Sequence, residues 1–211
     1  MEGFIARWYD KSTGKNLDRI HAMAQRVTAN APAGSRILEV APGPGYLSIE
    51  LAQTGRYEVT GMDISKTFVE IATAHAKAAV APVTFREGEA AHMPFEDNTF
   101  DFIVCSAAFK NFTEPLRAIN EMHRVLTPDG TALILDLRRD ASREAVDKEV
   151  DRMELNTINT WFTKLTFRAM LLKNAYSRAD MERFAAESAF GTGEVKLDGI
   201  GFELWLRKKS Q

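Results

Sequence analysis

An α/β fold, with a doubly wound, mostly parallel sheet of seven strands closed by an antiparallel hairpin, is predicted by three observations. Short apolar runs alternate five times with segments of helical periodicity, the pattern of a parallel sheet with helices on both faces. One run, Phe100–Cys105, is apolar except for Asp101, as a strand covered on both faces should be. Between the first run and its helix stands a tight turn, Ala41-Pro42-Gly43-Pro44-Gly45, of the kind that opens a helix N-terminus towards a ligand.

The elements follow in order. Leu17, Ile20, His21, Ala24 and Val27 recur at helical spacing, and Ala31-Pro32-Ala33-Gly34 stops that helix. Ile37, Leu38 and Val40 form the first strand, and Leu47, Leu51 and Ala52 mark the helix after the turn. Tyr57–Met62 is a second strand ending at Asp63, and Ser65 is a natural cap for the helix of Phe68, Ile71, Ala72, His75 and Ala79. Pro82–Arg86 and Phe100–Cys105 are the third and fourth strands. Thr113 is the expected cap of the next helix, whose inner face is Leu116, Ile119, Met122, His123 and Leu126. Thr127-Pro128-Asp129-Gly130 reads as a turn before a fifth strand, Ala132–Leu137. Residues 141–155 read as a charged helix, and Ser177 caps another with Met181, Phe184, Ala185 and Ser188 inward. Glu194–Leu197 and Phe202–Arg207 close the chain as strands, with Asp198-Gly199 the hairpin signal between them.

Composition bounds the function. The chain has 211 residues, 45% apolar and 27% charged, with net charge −2. One domain spanning 1–211 is the expectation, with residues 1–30 an N-terminal helical cap and 141–176 a helical insertion or lid. A near-neutral chain is a poor binder of nucleic acid. The single cysteine, Cys105, forms no internal disulfide and fits a reducing compartment. No secretory leader and no apolar run long enough to span a membrane are evident, so a cytoplasmic location is expected. Four histidines and one cysteine show no metal-ligand spacing, so no metal is expected. The apolar segment 157–173, with Trp161 at its centre, suits a pocket wall, core packing or a homodimer face.

The glycine turn carries the chemistry. Its run from Gly43 is G-P-G-Y-L-S, with Ser48 where a dinucleotide site has its third glycine. Glu39 precedes the turn, and a carboxylate there repels a pyrophosphate. Asp63, at the end of the second strand, can accept both hydroxyls of a ribose. Together these suit a nucleoside that carries an amino-acid chain.

Five linked segments extend the pattern: W-Y-D from Trp8, E-V-A-P-G-P-G from Glu39, G-M-D-I-S from Gly61, E-G-E-A-A-H-M-P-F-E-D-N-T-F-D from Glu87, and E-M-H-R-V-L-T-P-D-G from Glu121. With them the chain resembles class I S-adenosylmethionine-dependent methyltransferases, a Rossmann-like family, of the small-molecule ubiquinone/menaquinone-biosynthesis type. The resemblance implies S-adenosylmethionine as cofactor and a small-molecule methyl acceptor as partner. It places Ala41, Pro42, Gly43 and Gly45 under the methionine part of the cofactor, with Glu39 near its amino group. It puts Asp63 on the ribose, Ile64 on the adenine, Glu89 and Ala90 at the adenine edge, Ser106 under the methionine chain, and Tyr9 over the cofactor. Three residues depart from the family pattern. Ala41 and Asp129 stand where glycine is usual, and Glu89 where aspartate is usual.

Beyond the cofactor the residues leave alternatives open. Lys110 and Asn111, after the fourth strand, and Asp136, at the end of the fifth, are the candidates for catalysis. Arg138 and Arg139 suit a substrate carboxylate or phosphate, or they are solvated partners of Asp140 and Glu144. A protein that holds the cofactor or its demethylated product without turnover, a nicotinamide-dependent oxidoreductase, and a cofactor-assisted cyclisation are the competing functions.

Overall fold

A computed structural model describes residues 17–151 and 175–210, together with Glu2, Gly3 and Ala6. Its elements are α1 (Leu17–Asn30), β1 (Arg36–Val40), α2 (Tyr46–Gln53), β2 (Glu58–Asp63), α3 (Lys66–Ala78), β3 (Val83–Glu87), β4 (Phe100–Ser106), α4 (Pro115–Val125), β5 (Leu126–Leu137), α5 (Arg143–Asp151), α6 (Arg178–Glu187), β6 (Glu194–Asp198) and β7 (Gly201–Arg207). A short 3₁₀ turn, Phe109–Asn111, lies between β4 and α4.

The sheet has seven strands in the order β3-β2-β1-β4-β5-β7-β6. β1 to β5 pair in parallel, and β7 runs antiparallel to both β5 and β6. This is the predicted doubly wound sheet with a terminal antiparallel hairpin. The chain winds outward from β1 to β3 and then returns to the other side at β4. The crevice at the carboxyl ends of β1 and β4 is therefore the switch point where such sheets bind ligands.

Strand alternation divides the core between the two faces. Ile37, Phe102, Val104 and Leu133 pack against Ile20, Ala24 and Val27 of α1 and Leu47 and Leu51 of α2. Leu38, Val40, Ile103 and Ile134 face the other way, onto Ile119 and Met122 of α4 and Met181 and Phe184 of α6. Ser65 caps α3, accepting from the Phe68 N–H at 3.2 Å. Ser177 caps α6 in a reciprocal box with Asp180.

Four expectations need correction. Leu126, expected on the inner face of the helix of Leu116 and Ile119, lies past its end and opens β5 instead. The Thr127–Gly130 stretch is not a separate turn but a bulge within β5. Phe100 pairs with Leu126 and Phe102 with Thr131, and Asp129 takes φ 63°. The C-terminal segment supplies the partner: the Asp129 N–H donates to the Lys208 carbonyl, and the Lys208 N–H to Gly130, both at 2.9 Å. The hairpin loop lies one residue later than its signal. Asp198 pairs with Gly201, so the loop is Gly199-Ile200, with Gly199 at φ 54° as the first loop position of a type II′ turn demands. Ile200 closes over Val146 and Val150 of α5, which explains the choice. Finally, Glu114 rather than Thr113 is the cap position of α4, with no side-chain cap and Pro115 opening the helix. The expected helix of residues 141–155 is described over Arg143–Asp151, and its Met153 lies outside the described residues.

Candidate functional site

At the centre of the sheet the chain leaves β1 through a turn with three left-handed residues: Ala41 (φ 57°), Gly43 (φ 54°) and Gly45 (φ 83°). The Ala41 N–H donates to the Met62 carbonyl at 2.7 Å, and the Gly43 N–H donates to Asp63 Oδ2 at 3.0 Å. Gly45 opens α2. A Cβ on it would come within 2.7 Å of the Phe85 ring and 2.9 Å of the Ala72 methyl, so only glycine fits. His75 Nδ1 lies 3.0 Å from the Pro44 carbonyl, and its ring stacks on Tyr46 at 5.2 Å. The turn is thus held from three sides, by β2, by Phe85 of β3 and by α3.

Two carboxylates flank it. Glu39 is 4% exposed and points to the α2 face of the sheet, where the Ser48 hydroxyl donates to its Oε2 at 2.5 Å. Burial pushes its carboxyl up to about 7, the hydrogen bonds from Ser48 work against that rise, and the Asp63 charge adds to it. Asp63 accepts from the Gly43 N–H and, through Oδ1, from the Ser65 N–H at 2.9 Å. Burial raises its carboxyl as well, opposed by those two amides. Cys105, on β4 beside them, is fully buried and its thiol is pushed well up by burial. It is an inert core residue.

A cavity of about 120 Å³ opens beside the turn, and it is lined by Ala41, Ile64, Glu89 and Ala90 from the predicted set. Asn111 and its neighbour Phe112 close it from the β4–α4 side. Ile64 is 65% exposed, an uncovered apolar side chain at the mouth. Glu89 also approaches His92, at 3.9 Å, and Arg117 of α4 contacts the other nitrogen of that ring. The sequence gives His92 no evident partner. It acquires two because the β3–β4 loop folds back onto α4.

The loop after β4 is anchored differently. Ser106 ends β4, and its hydroxyl donates to the Met23 thioether of α1. Ala107 is left-handed (φ 56°) and its N–H donates to Leu135 at 2.8 Å. Asp136, with a side chain 1% exposed, accepts from the Lys110 N–H and from Lys110 Nζ, each at 2.9 Å. Lys110 Nζ also donates to the Ala107 carbonyl. Neither Lys110 nor Asp136 lines the cavity; Asn111, the third member of the group, does.

Arg138 and Arg139 do not line it either. Arg138 donates to the Gly199 carbonyl and to Asp140. Arg139 pairs with Asp180 of α6 at 2.8 Å. Pairing with Asp140 follows the plainer of the two sequence readings, but Asp180 rather than Glu144 is the second partner. Tyr9, Trp161 and the segment 157–173 lie outside the described residues. Sequence reasoning missed Met23, Phe112 and the tie between Ser48 and Glu39. Only the last left a signal, in the serine that replaces a third glycine.

The donor set fits S-adenosylmethionine. A buried carboxylate lies beneath the turn where a cationic amino group would neutralise it. A second carboxylate and an uncovered apolar side chain sit in consecutive positions, Asp63 and Ile64, beside the cavity. A pyrophosphate in this turn would lie against the buried Glu39 carboxylate, which disfavours a dinucleotide, whereas Asp63 suits the ribose of either ligand. Among the described residues, no helix is long and apolar enough to cross a membrane.

Residues 38–134 match the family described as a methyltransferase domain. The demethylmenaquinone methyltransferase of Deinococcus radiodurans is 34% identical over 146 residues, 67% of this chain and 61% of that protein. The ubiquinone/menaquinone biosynthesis C-methyltransferase of Bdellovibrio bacteriovorus is 33% identical over 138 residues, 63% of this chain and 58% of that one. The chain thus spans about three-fifths of the length of these relatives. A putative S-adenosyl-L-methionine-dependent methyltransferase from Methanococcus maripaludis superposes with a TM-score of 0.75 over 98% of this chain and 93% of its own, at 22% identity, which shows a shared fold. Residues 38–134 therefore match a methyltransferase domain, and over part of their length the chain is similar to the ubiquinone/menaquinone-biosynthesis methyltransferases.

Proposed function

We propose that the protein transfers a methyl group from S-adenosylmethionine to a small-molecule acceptor by in-line displacement. The observation that carries this is the pair of buried carboxylates, Glu39 and Asp63, set on either side of a left-handed turn. When bound, the cofactor supplies an intrinsically reactive sulfonium methyl. The residues of the chain then have to bind, orient and exclude water. Glu39 receives an amino group, Asp63 receives ribose hydroxyls while fixing the Gly43 amide, and Ile64 covers an apolar ring. Glu89, Ala90 and Asn111 bound the same cavity. Pro42, Gly43 and Gly45 shape the backbone under the amino-acid chain, and Ser106 bounds it from β4. The names of the relatives support a small-molecule acceptor.

Lys110 and Asp136 are assigned to holding the loop rather than to proton transfer, because each satisfies the other. Arg138 and Arg139 are assigned to tying the exit of β5 to the hairpin and to α6. Asn111 is left as the polar side chain of that group facing the site.

Titration calorimetry with S-adenosylhomocysteine and with NAD tests the cofactor: binding of the first alone is expected, and binding of NAD alone overturns the reading. Incubation with methyl-labelled S-adenosylmethionine and a quinol-containing metabolite extract tests turnover. Labelled product is expected. Retained ligand with no labelled product makes the protein a non-catalytic binder.

A further inference from the structure

Ser48 occupies the place where a dinucleotide-binding turn has its third glycine. There glycine serves close packing of helix on strand. Here the residue is fully buried in α2 and spends its hydroxyl on the Glu39 carboxylate at 2.5 Å. α2 packs its Leu47 and Leu51 against the Ile37 face of the sheet, so the helix is fixed in the position that brings Ser48 over Glu39. We propose that Ser48 is a positioning residue: its hydroxyl holds the Glu39 carboxylate in the ionised form and in the orientation that receives the ammonium group of the cofactor's amino-acid end. This rests on the cofactor reading above and assigns a new role within that site.

The surroundings of Glu39 make such a device necessary. The titratable groups that act with it are Asp63 at the end of β2, itself a carboxylate, and the buried Cys105 thiol of β4. Neither stabilises a negative charge on Glu39. Burial alone drives the carboxyl towards the neutral form, and Ser48 is the group that opposes this. A hydroxyl can serve because it donates to the ionised acid, and such charge-assisted bonds are about twice as strong as neutral ones. A residue without a hydroxyl at this position would leave the carboxylate to burial.

Calorimetric titration of S-adenosylhomocysteine against the full chain, from about pH 5.5 to 8.5, reads the effect directly. Affinity in the unmodified protein is expected to rise with pH through about 7, as Glu39 loses its proton. In Ser48→Ala and Ser48→Gly the midpoint of that rise moves up by about one pH unit, and affinity at pH 7 falls by about fivefold. Ser48→Thr keeps the donor and restores the original midpoint. Alanine removes only the hydroxyl oxygen and is the better helix former, so Ser48→Ala carries the test if the glycine variant folds poorly. Unchanged midpoints in both hydroxyl-free variants overturn the role of Ser48 and leave the cofactor reading standing. Failure of the unmodified protein to bind S-adenosylhomocysteine at any pH overturns the cofactor reading, and this inference with it.

Discussion

At the end of β1 the chain leaves the sheet through Ala41, and at the end of β4 through Ala107. Both alanines are left-handed. Each exit is pinned by an aspartate from the end of the next strand outward, Asp63 of β2 for the first and Asp136 of β5 for the second, through a backbone amide two or three residues on. The difference lies in charge. Asp136 is matched by the Lys110 ammonium, whereas among the described residues Asp63 accepts from backbone amides and stands near a second buried carboxylate, Glu39. One exit is electrically complete within the chain. In the function proposed above, the other is completed by a ligand that brings hydroxyls and a positive charge.

Breaking the complete region should have the largest effect. Lys110→Met leaves Asp136 buried without its cation, and loss of one partner of a buried pair costs about 3–5 kcal/mol. Urea unfolding should show a fall of that size. Replacing both partners, as Lys110→Met with Asp136→Leu, should recover most of it, because two matched apolar groups leave no orphan charge. A single-variant cost near zero would remove the contrast between the two exits.

The incomplete region should reveal itself through pH. The Glu39 carboxyl is raised from 4.5 to about 7 in the folded chain. A protonated Glu39 therefore stabilises the fold fully below about 4.5, and that contribution disappears as pH rises through 7. The loss is on the order of 3 kcal/mol across the window. Thermal midpoints of the ligand-free protein should fall between about pH 5 and 8. S-adenosylhomocysteine should oppose the fall, since it binds the ionised form. Glu39→Gln should flatten the profile and take the ligand's pH dependence with it.

Which parts of this were legible beforehand follows from range. Strand alternation, the Ser65 and Ser177 caps and the glycines of the turn after β1 act within a few residues, and they are legible in the sequence. The partners of Asp136 and Arg139, and the Arg117 partner of His92, come from segments 25 or more residues away, brought together only by the sheet order. The Thr127–Gly130 bulge shows the same limit. Its residues have turn chemistry, and the pairing that draws them into β5 comes from Lys208. Glu39 and Asp63 were legible because their charges sit beside a turn whose backbone they constrain. Ala41 was legible as an odd residue, though not as one of a matched pair.

That pair gives the finest test. A non-glycine residue in the left-handed region costs about 1–2 kcal/mol, and glycine relieves it while adding about 0.4–1 kcal/mol of unfolded-chain freedom. Ala41→Gly and Ala107→Gly should therefore each stabilise the fold by about 0.5–1 kcal/mol, read as matched shifts in chemical denaturation. Their effects on ligand should differ. Ala107 does not line the cavity, so relaxing it should leave S-adenosylhomocysteine affinity unchanged. Ala41 does line it, and its methyl group sits where the family usually has none. Ala41→Gly should change affinity by a small factor, through the space and freedom it opens under the ligand. Equal stabilisation with unequal binding would separate what the two exits share, a strained alanine, from what only the first one does. An affinity change at Ala107 as large as at Ala41 would show instead that the ligand senses both loops, and that the exit from β4 is not closed after all.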